Sequence, residues 1–393
     1  MPQRRLIVLL GSIVAIGPLS IDTYLPAFPA MARSLDASAS AVQLTLTACL
    51  AGIAIGQLVA GSLSDRLGRR RPIVAGLSAY IVVSLLCAVA PDVLTLTFLR
   101  FLQGFAAAAG LVVAQAVVRD LHSGPAAVRV FSSLMLIIGV APILAPVLGG
   151  QLLALGSWRG IFVALAVIAG VVGLGVVLGL RETLEPERRD LRGLRQTLRT
   201  LRGLVCERDF MGYALASSLG FAVVFAYVSG SSFVLQDVYG VSPQLYSVIF
   251  GVNGIGLIAA SQVNARIVGR FEPDRLLRRA LATGACASIA LLGVVSAGGL
   301  GAWAVMVPLF VIVSSLAFVL PNATALALAD HPHVAGAASA LLGVIQFLAG
   351  ALVAPLVGVA GTDTALPMGI VMSVLGVAAV ATLRILVPME AAS

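Results

Sequence analysis

The sequence has 393 residues, of which 60% are hydrophobic and 11% are charged. Soluble domains carry about 25% charged residues, so this composition excludes a large soluble core. Together with a mean hydropathy of +1.06, it indicates a protein that spans a membrane. The net charge is +8, which would suit nucleic acid, but the positions of the basic residues favour another explanation.

Twelve segments are long and apolar enough to cross a membrane as helices, since a span needs about 20 such residues. They are 6–32, 40–63, 72–90, 93–118, 126–155, 158–180, 210–235, 243–265, 280–299, 302–328, 335–360 and 366–387. Each must be helical, because backbone groups in lipid need internal partners. The first is too long for a signal peptide, so we expect it to remain as a span.

The basic residues, all Arg, predict the orientation of these helices. If both termini are cytoplasmic, 22 of the 25 Arg lie on the inner side, as the positive-inside rule requires. This distribution explains the high net charge and argues against nucleic acid as a partner.

The composition is rich in Ala, Gly and Arg and contains no Lys, which suggests a GC-rich bacterial genome. We therefore expect the protein in the bacterial cytoplasmic (inner) membrane. The four Cys show no paired spacing and are interpreted as small apolar fillers.

The longest polar stretch, 181–209, divides six predicted helices from six. We therefore predict an N-terminal bundle at 1–180, a cytoplasmic linker at 181–209 and a C-terminal bundle at 210–393. Leu residues recur in the linker at spacings of three and four, which suits an amphipathic helix on the inner leaflet; a solvated linker is the alternative. "APVLG" (145–149) and "APLVG" (354–358) fall in the fifth helix of each half, which favours an internal duplication.

The stretch "GSLSDRLGRRRPI" (61–73) carries more than the positive charges of a short inner turn. Gly61 allows close helix contact, Gly68 allows a tight turn, and Asp65 can pair with an Arg. The stretch resembles the signature loop of the major facilitator superfamily at every specified position. The resemblance implies a transporter of twelve helices in two six-helix bundles. It also implies that this loop gates the cycle, with Asp65 and Arg69 as clasp residues and with Gly61, Arg66 and Gly68 as further gating residues. Asp120 is a plausible partner for a loop Arg.

The fourth predicted helix contains "LRFLQGFAAAAG" (99–110). Arg100 and Gln103 are three residues apart and share a helix face. An Arg at this depth costs at least a few kcal/mol unless it is paired or hydrated; snorkelling to the outer surface is the alternative. The stretch resembles the R-x-x-Q-G element of the same superfamily, which implies a role for Arg100 in proton coupling.

The fifth predicted helix and the second half narrow the resemblance. "GVAPILAPVLGG" (139–150) is similar to the glycine- and proline-rich element of drug antiporters, but Ala145 replaces an expected Gly and Pro142 is additional. Its motif residues are Gly139, Pro142, Pro146, Gly149 and Gly150. Segments 225–258, 320–328 and 336–352, and the opening "IDTYLPAFPAMA", resemble bicyclomycin-resistance and CflA-type drug:proton antiporters.

Asp22 is the only acidic residue that the sequence places deep in a predicted helix. A carboxylate at mid-membrane is costly when charged unless it is hydrated or paired. Such a group can change protonation state as its surroundings change, which is what a proton carrier needs. The resemblance implies a role in proton coupling; the alternative is a structural Asp bonded to a helix or to Arg100.

These observations predict a proton-coupled antiporter, not an enzyme, that exports amphipathic small molecules or antibiotics. It would act as a monomer in the lipid bilayer, without cofactor or metal, and with the proton gradient as its energy source. A native-metabolite (amino acid or sugar) transporter and a transporter-derived sensor are the alternatives. Polar groups in apolar helices are candidates for substrate binding or, alternatively, for helix–helix hydrogen bonds: Tyr24, Gln103, Tyr227, Asn253, Asn322 and Gln346. His331 and His333 are predicted to be solvated.

Overall fold

The computed structural model describes residues 3–121, 124–185, 201–298, 301–331, 334–358 and 364–388, and within these ranges it is helical without strands. The first half contains α1 (Gln3–Asp22), α2 (Phe28–Ser34), α3 (Ala39–Leu67), α4 (Arg70–Ala88), α5 (Val93–Leu121), α6 (Gly124–Leu155) and α7 (Arg159–Gly179). The second half contains α8 (Arg208–Phe233), α9 (Pro243–Ile267), α10 (Pro273–Ala297), α11 (Gly301–Ala329), α12 (Ala335–Val353) and α13 (Leu366–Leu386).

Eleven helical stretches in the described part of the chain are long and apolar enough to cross a membrane. The long helix α6 is additional, and its apolar portion is Gly139–Leu155. The predicted class, an all-helical protein with many spans, is therefore confirmed. The count of twelve spans and the cytoplasmic position of the termini stay predictions.

Two predicted boundaries were wrong by several residues. α3 continues to Leu67 rather than ending at residue 63, and α10 begins at Pro273 rather than at residue 280. Both errors have one cause: an apolar run ends where the hydrocarbon ends, whereas a helix can continue into the polar layer. In α10 the added turn is supported by Asp274, which pairs with Arg278 one turn later at 2.6 Å.

The first span is interrupted directly after Asp22, where a continuous helix was predicted. α1 ends there, Leu25–Ala27 forms a 3₁₀ turn, and α2 begins at Phe28. Pro26 explains the break, because it lacks the amide that would bond to the Asp22 carbonyl and its ring crowds that carbonyl. The only acidic residue of the span thus lies at a helix end.

The chain divides into two compact units, Met1–Ala37 with Leu44–Leu194 and Ser38–Gln43 with Arg195–Ser393. In the first unit α1 packs against α5, α6 and α7, and α4 packs against α5 and α7. In the second unit α8 packs against α11, α12 and α13, and α10 packs against α11 and α13. The predicted amphipathic linker helix falls mostly outside the described residues; residues 201–206 are helical, with Leu201 and Leu204 buried.

Candidate functional site

Arg100 lies at the centre of the polar interior of the first unit and is fully buried. Its guanidinium donates to the Ser20 carbonyl at 2.7 Å and to the side-chain oxygen of Gln103. It also lies over the Tyr24 ring, 4.2 Å from the ring centroid, which is cation–π geometry. Arg100 therefore does not snorkel to the surface, and its contacts offset part of the cost of burial.

The groups around Arg100 are themselves hydrogen-bonded. Gln103 donates to the Ser84 hydroxyl at 2.7 Å, and the hydroxyls of Ser20 and Tyr80 are 2.6 Å apart. The Tyr24 hydroxyl is 3.3 Å from that of Thr45. Two of the candidate substrate residues, Tyr24 and Gln103, thus belong to one network that joins α1, α3, α4 and α5. Ser20, Thr45, Tyr80 and Ser84 were missed, because a hydroxyl in an apolar helix is a weak sequence signal.

Asp22 lies two residues beyond the Ser20 carbonyl and is 6% exposed. Within the described residues it forms no hydrogen bond or ion pair, and no ion pair joins it to Arg100. The structural alternative, an Asp bonded to a helix or to Arg100, has no such bond to support it. The charge state of a buried carboxyl without a partner therefore depends on which water, proton or cation reaches it.

α6 packs closely on the chain next to Asp22. A Cβ added at Gly149 would lie 1.7 Å from the Thr23 carbonyl oxygen, so only glycine allows this approach. Pro142 and Pro146 lie inside the same helix, with Pro146 buried and Pro142 half-buried. The glycine and proline pattern of the fifth predicted helix therefore builds one wall beside the helix break at Asp22.

The polar interior of the second unit consists of neutral pairs. The Asn253 amide donates to the Tyr227 hydroxyl at 2.7 Å, and the Tyr227 ring stacks on Phe250. The Asn322 amide donates to the side-chain oxygen of Asn264 at 2.9 Å. These contacts are helix–helix hydrogen bonds, the alternative recognised from the sequence; a role in substrate binding stays a prediction.

Gln346, the remaining candidate, is half-buried in α12 and has no hydrogen bond to the residues that the structure describes. It is not joined to either neutral pair. Asn264 was missed as a partner of Asn322, although an amide within the apolar segment 243–265 was a usable signal.

A second cluster lies at the Arg-rich end of the first unit, where only Gly68 and Arg69 separate α3 from α4. The Arg69 guanidinium donates to Asp65 at 2.5 Å, to Asp120 at 2.8 Å and to the Ser64 hydroxyl at 2.9 Å. Burial acts to lower the pKa of Arg69, but the bonds from Asp120 and Asp65 outweigh it and hold the pKa above its ordinary value.

Glu182, after α7, completes this cluster and was missed from the sequence. Its carboxylate accepts from the amide of Arg69 at 2.7 Å and from that of Arg70 at 3.2 Å, so it caps the start of α4. Partial burial acts to raise the pKa of Glu182, but the amides of Arg69, Leu184, Arg70 and Thr183 outweigh it and lower the pKa. The signal was the acidic residue directly after a span, in "RETLEP".

Gly68 is required by this cluster for two reasons. Its φ is +91°, which L side chains rarely adopt, and an added Cβ would lie 2.4 Å from a Glu182 oxygen.

Of the other predicted gating residues, Gly61 is half-buried in α3. Arg66 is exposed, and it forms no hydrogen bond or ion pair with described residues. The structure thus joins Asp65, Arg69 and Asp120 but leaves Arg66 outside their network.

His331 differs from its prediction as a solvated residue. Its Nε2 is 2.9 Å from the Glu207 carboxylate, and its ring packs edge-on against Phe210. The prediction rested on the polar residues around His331 in the sequence. In the structure this loop folds back on the start of α8. His333 lies outside the described residues. All four Cys are free, with Cys49 and Cys87 buried and Cys206 and Cys286 exposed.

The all-helical fold, with its many apolar helices long enough to cross a membrane, defines the class as a multi-pass membrane protein. The Major Facilitator Superfamily profile matches residues 10–355, and the chain belongs to that superfamily. The crystal structure of the nucleoside transporter NupG has a TM-score of 0.80 at 12% identity, covering 98% of this chain and 99% of that chain. This last similarity shows the fold alone.

Two relatives match almost the whole chain. The Bacillus subtilis (strain 168) protein called "Uncharacterized MFS-type transporter YdgK" is 44% identical over 371 residues, covering 94% of this chain and 92% of the relative. The "Bicyclomycin resistance protein homolog" of Haemophilus influenzae is 33% identical over 362 residues, covering 92% and 91% respectively. The resemblance to the bicyclomycin-resistance group of transporters, seen first in sequence motifs, is confirmed.

Proposed function

We propose that this transporter is a proton-coupled antiporter that exports amphipathic small molecules or antibiotics across a bacterial cytoplasmic membrane. Asp22 carries this proposal: it is a buried carboxyl without a partner among the described residues, at a helix break. The relative named for bicyclomycin resistance supports export of a drug. The proposal places both termini and the Arg-rich ends of the helices on the cytoplasmic side, with twelve spans in a monomer.

In the proposed cycle Asp22 takes a proton when it faces outward, and the substrate leaves. When it faces inward, substrate binding and the positive field of Arg100 favour release of the proton. Arg100 bonds to the Ser20 carbonyl rather than to Asp22, so it acts on Asp22 through space and by holding the end of α1. One charge that crosses about 100 mV yields about 2.3 kcal/mol, or roughly a 50-fold gradient.

The test is proton release when drug is added to the purified, detergent-solubilised protein. We expect wild type to release protons and Asp22→Asn to release none, because the amide keeps the size of the side chain but cannot exchange a proton. Asp237→Asn is the matched control: the same change in an exposed residue at the end of a span should release protons as wild type does.

In vesicles, an imposed pH gradient should drive uptake by wild type and the control but not by Asp22→Asn. Drug-on-drug exchange without a gradient should persist in Asp22→Asn, which shows that the variant is folded and binds drug. Equal proton release by wild type and Asp22→Asn would place the coupling site elsewhere and refute the proposal.

A further inference from the structure

A groove of about 580 Å³ runs between α10 and α13 at the Arg-rich end of the second unit. Its lining includes four Arg from the two helices and a set of apolar side chains. The lining residues are Arg275, Arg278, Arg279, Leu281, Ala282, Val380, Leu383, Arg384 and Pro388. None of them belongs to the proposed transport or gating residues, so the groove needs an explanation of its own.

Two of the four Arg are already paired within the protein. Arg275 pairs with Glu272 at 2.9 Å. Arg278 pairs with Asp274 at 2.6 Å and also donates to the Val387 carbonyl at 2.7 Å. The charges of these two Arg are therefore neutralised by acidic residues of the same helix or its start.

The other two Arg, Arg279 on α10 and Arg384 on α13, are exposed. Neither forms a hydrogen bond or ion pair with the residues that the structure describes. Each wall of the groove thus offers a guanidinium without an acidic partner there. The planar donor fork of Arg matches the oxygens of a phosphate.

The apolar lining lies beside these charges and continues one turn deeper on both walls. α10 starts at the Arg-rich end, so Ala282 lies one turn beyond Arg279; α13 finishes there, so Val380 lies one turn before Arg384. Both helices therefore present charge at the membrane edge and hydrocarbon below it. A ligand that matches this order carries an anionic head and an apolar chain.

We propose that this groove binds an anionic phospholipid, with Arg279 and Arg384 on its phosphate and an acyl chain along Ala282 and Val380. Basic pockets between spanning helices are suited to such head groups. The lipid is held beside the second unit independently of the transport cycle, and this assignment does not rest on proton coupling or on drug export.

Native mass spectrometry of the full-length protein with equimolar dioleoyl-phosphatidylglycerol and dioleoyl-phosphatidylcholine tests the proposal. We expect wild type to retain phosphatidylglycerol preferentially. The double variant Arg279→Gln/Arg384→Gln should lower the ratio of the two adducts at least about tenfold. The matched control Arg266→Gln/Arg270→Gln removes two exposed charges, one from the last turn of α9 and one from the turn that follows it, and should keep the wild-type ratio.

Thermal unfolding in detergent distinguishes a lipid from free phosphate. Added phosphatidylglycerol should raise the melting temperature of wild type and of the control but not that of the double variant, and inorganic phosphate should raise none of them. If the double variant does not fold, each single Gln variant should lower the adduct ratio about fivefold. An unchanged ratio in the groove variants, an equal fall in the control, or equal protection by inorganic phosphate would overturn the proposal.

Discussion

The first helix of the first half contains Asp22, and the first helix of the second half contains Tyr227 at a comparably buried position. The fourth predicted span of the first half, α5, contains Arg100, whereas the fourth of the second half, α11, contains Asn322. Neutral pairs such as Asn253 with Tyr227 satisfy each other at little cost. A buried Arg is stable only if several groups are arranged around it.

This difference indicates where a charge-dependent step can take place. In the second unit the buried Asn side chains form neutral hydrogen bonds between helices. The described part of this unit holds no buried acidic or basic side chain. The first unit holds both Asp22 and Arg100. The proposed proton coupling therefore belongs to the first unit, and the following substitutions test how far the two units differ.

The largest effect is expected from Arg100→Ala. It leaves a cavity in the buried interior, and the Ser20 carbonyl and the Gln103 side-chain oxygen lose their donor, so we expect a loss of about 3 kcal/mol in stability and loss of transport. Arg100→Lys should retain part of both. Asn322→Ala, the comparison in the second unit, should cost about 1 kcal/mol. Thermal unfolding and uptake by vesicles measure these effects; equal losses for Arg100→Ala and Asn322→Ala would remove the distinction between the units.

Gly149→Ala should disturb the break at Asp22 from the side of α6. Because its Cβ would overlap the Thr23 carbonyl, we expect a destabilisation of about 2 kcal/mol and a fall in proton release. Gly170→Ala in α7, where a Cβ meets nothing within 4 Å, is the control and should be neutral or stabilising by up to about 1 kcal/mol. If both variants melt alike, α6 does not hold Asp22 in place.

Gly68→Ala and Gly269→Ala compare the equivalent turns of the two halves. Gly68 has positive φ and lies against Glu182, whereas an added Cβ at Gly269 meets nothing within 4 Å. We expect Gly68→Ala to cost about 1–2 kcal/mol and to slow transport, and Gly269→Ala to stay within about 0.5 kcal/mol. Transport rates and melting temperatures of the two variants, measured side by side, check this; similar behaviour would contradict a gating cluster specific to the first unit.

Tyr227→Phe should have a smaller effect, because it removes one neutral hydrogen bond and keeps the stack on Phe250. We expect a loss of about 0.6 kcal/mol in stability and no change in the pH dependence of transport. Drug binding to the purified variant decides between its two interpretations. A fall in drug affinity beyond the loss in stability would add Tyr227 to the substrate site.

The smallest effect is expected from protonation of Glu182. Its pKa is lowered in the folded protein, so its contribution is present above the ordinary Glu pKa of about 4.5 and is lost as pH falls through the lower folded value. The melting temperature of wild type should therefore fall more steeply below about pH 4.5 than that of Glu182→Gln. Parallel curves would show that the Glu182 charge does not stabilise the turn.

The sequence by itself determined the membrane class, the superfamily and the position of most spans, because hydropathy and the signature "GSLSDRLGRRRPI" are local properties. It also singled out Asp22 and Arg100 as costly in a membrane, and Arg69 through the resemblance of its loop. Only the tertiary structure decided which groups meet them: Arg100 bonds to a carbonyl 80 residues away, and the Arg69 amide to a carboxylate 113 residues away. Every residue has a backbone carbonyl, so the sequence does not indicate which carbonyl will accept a bond. Helix packing brings these distant residues together, and hydropathy does not encode that packing.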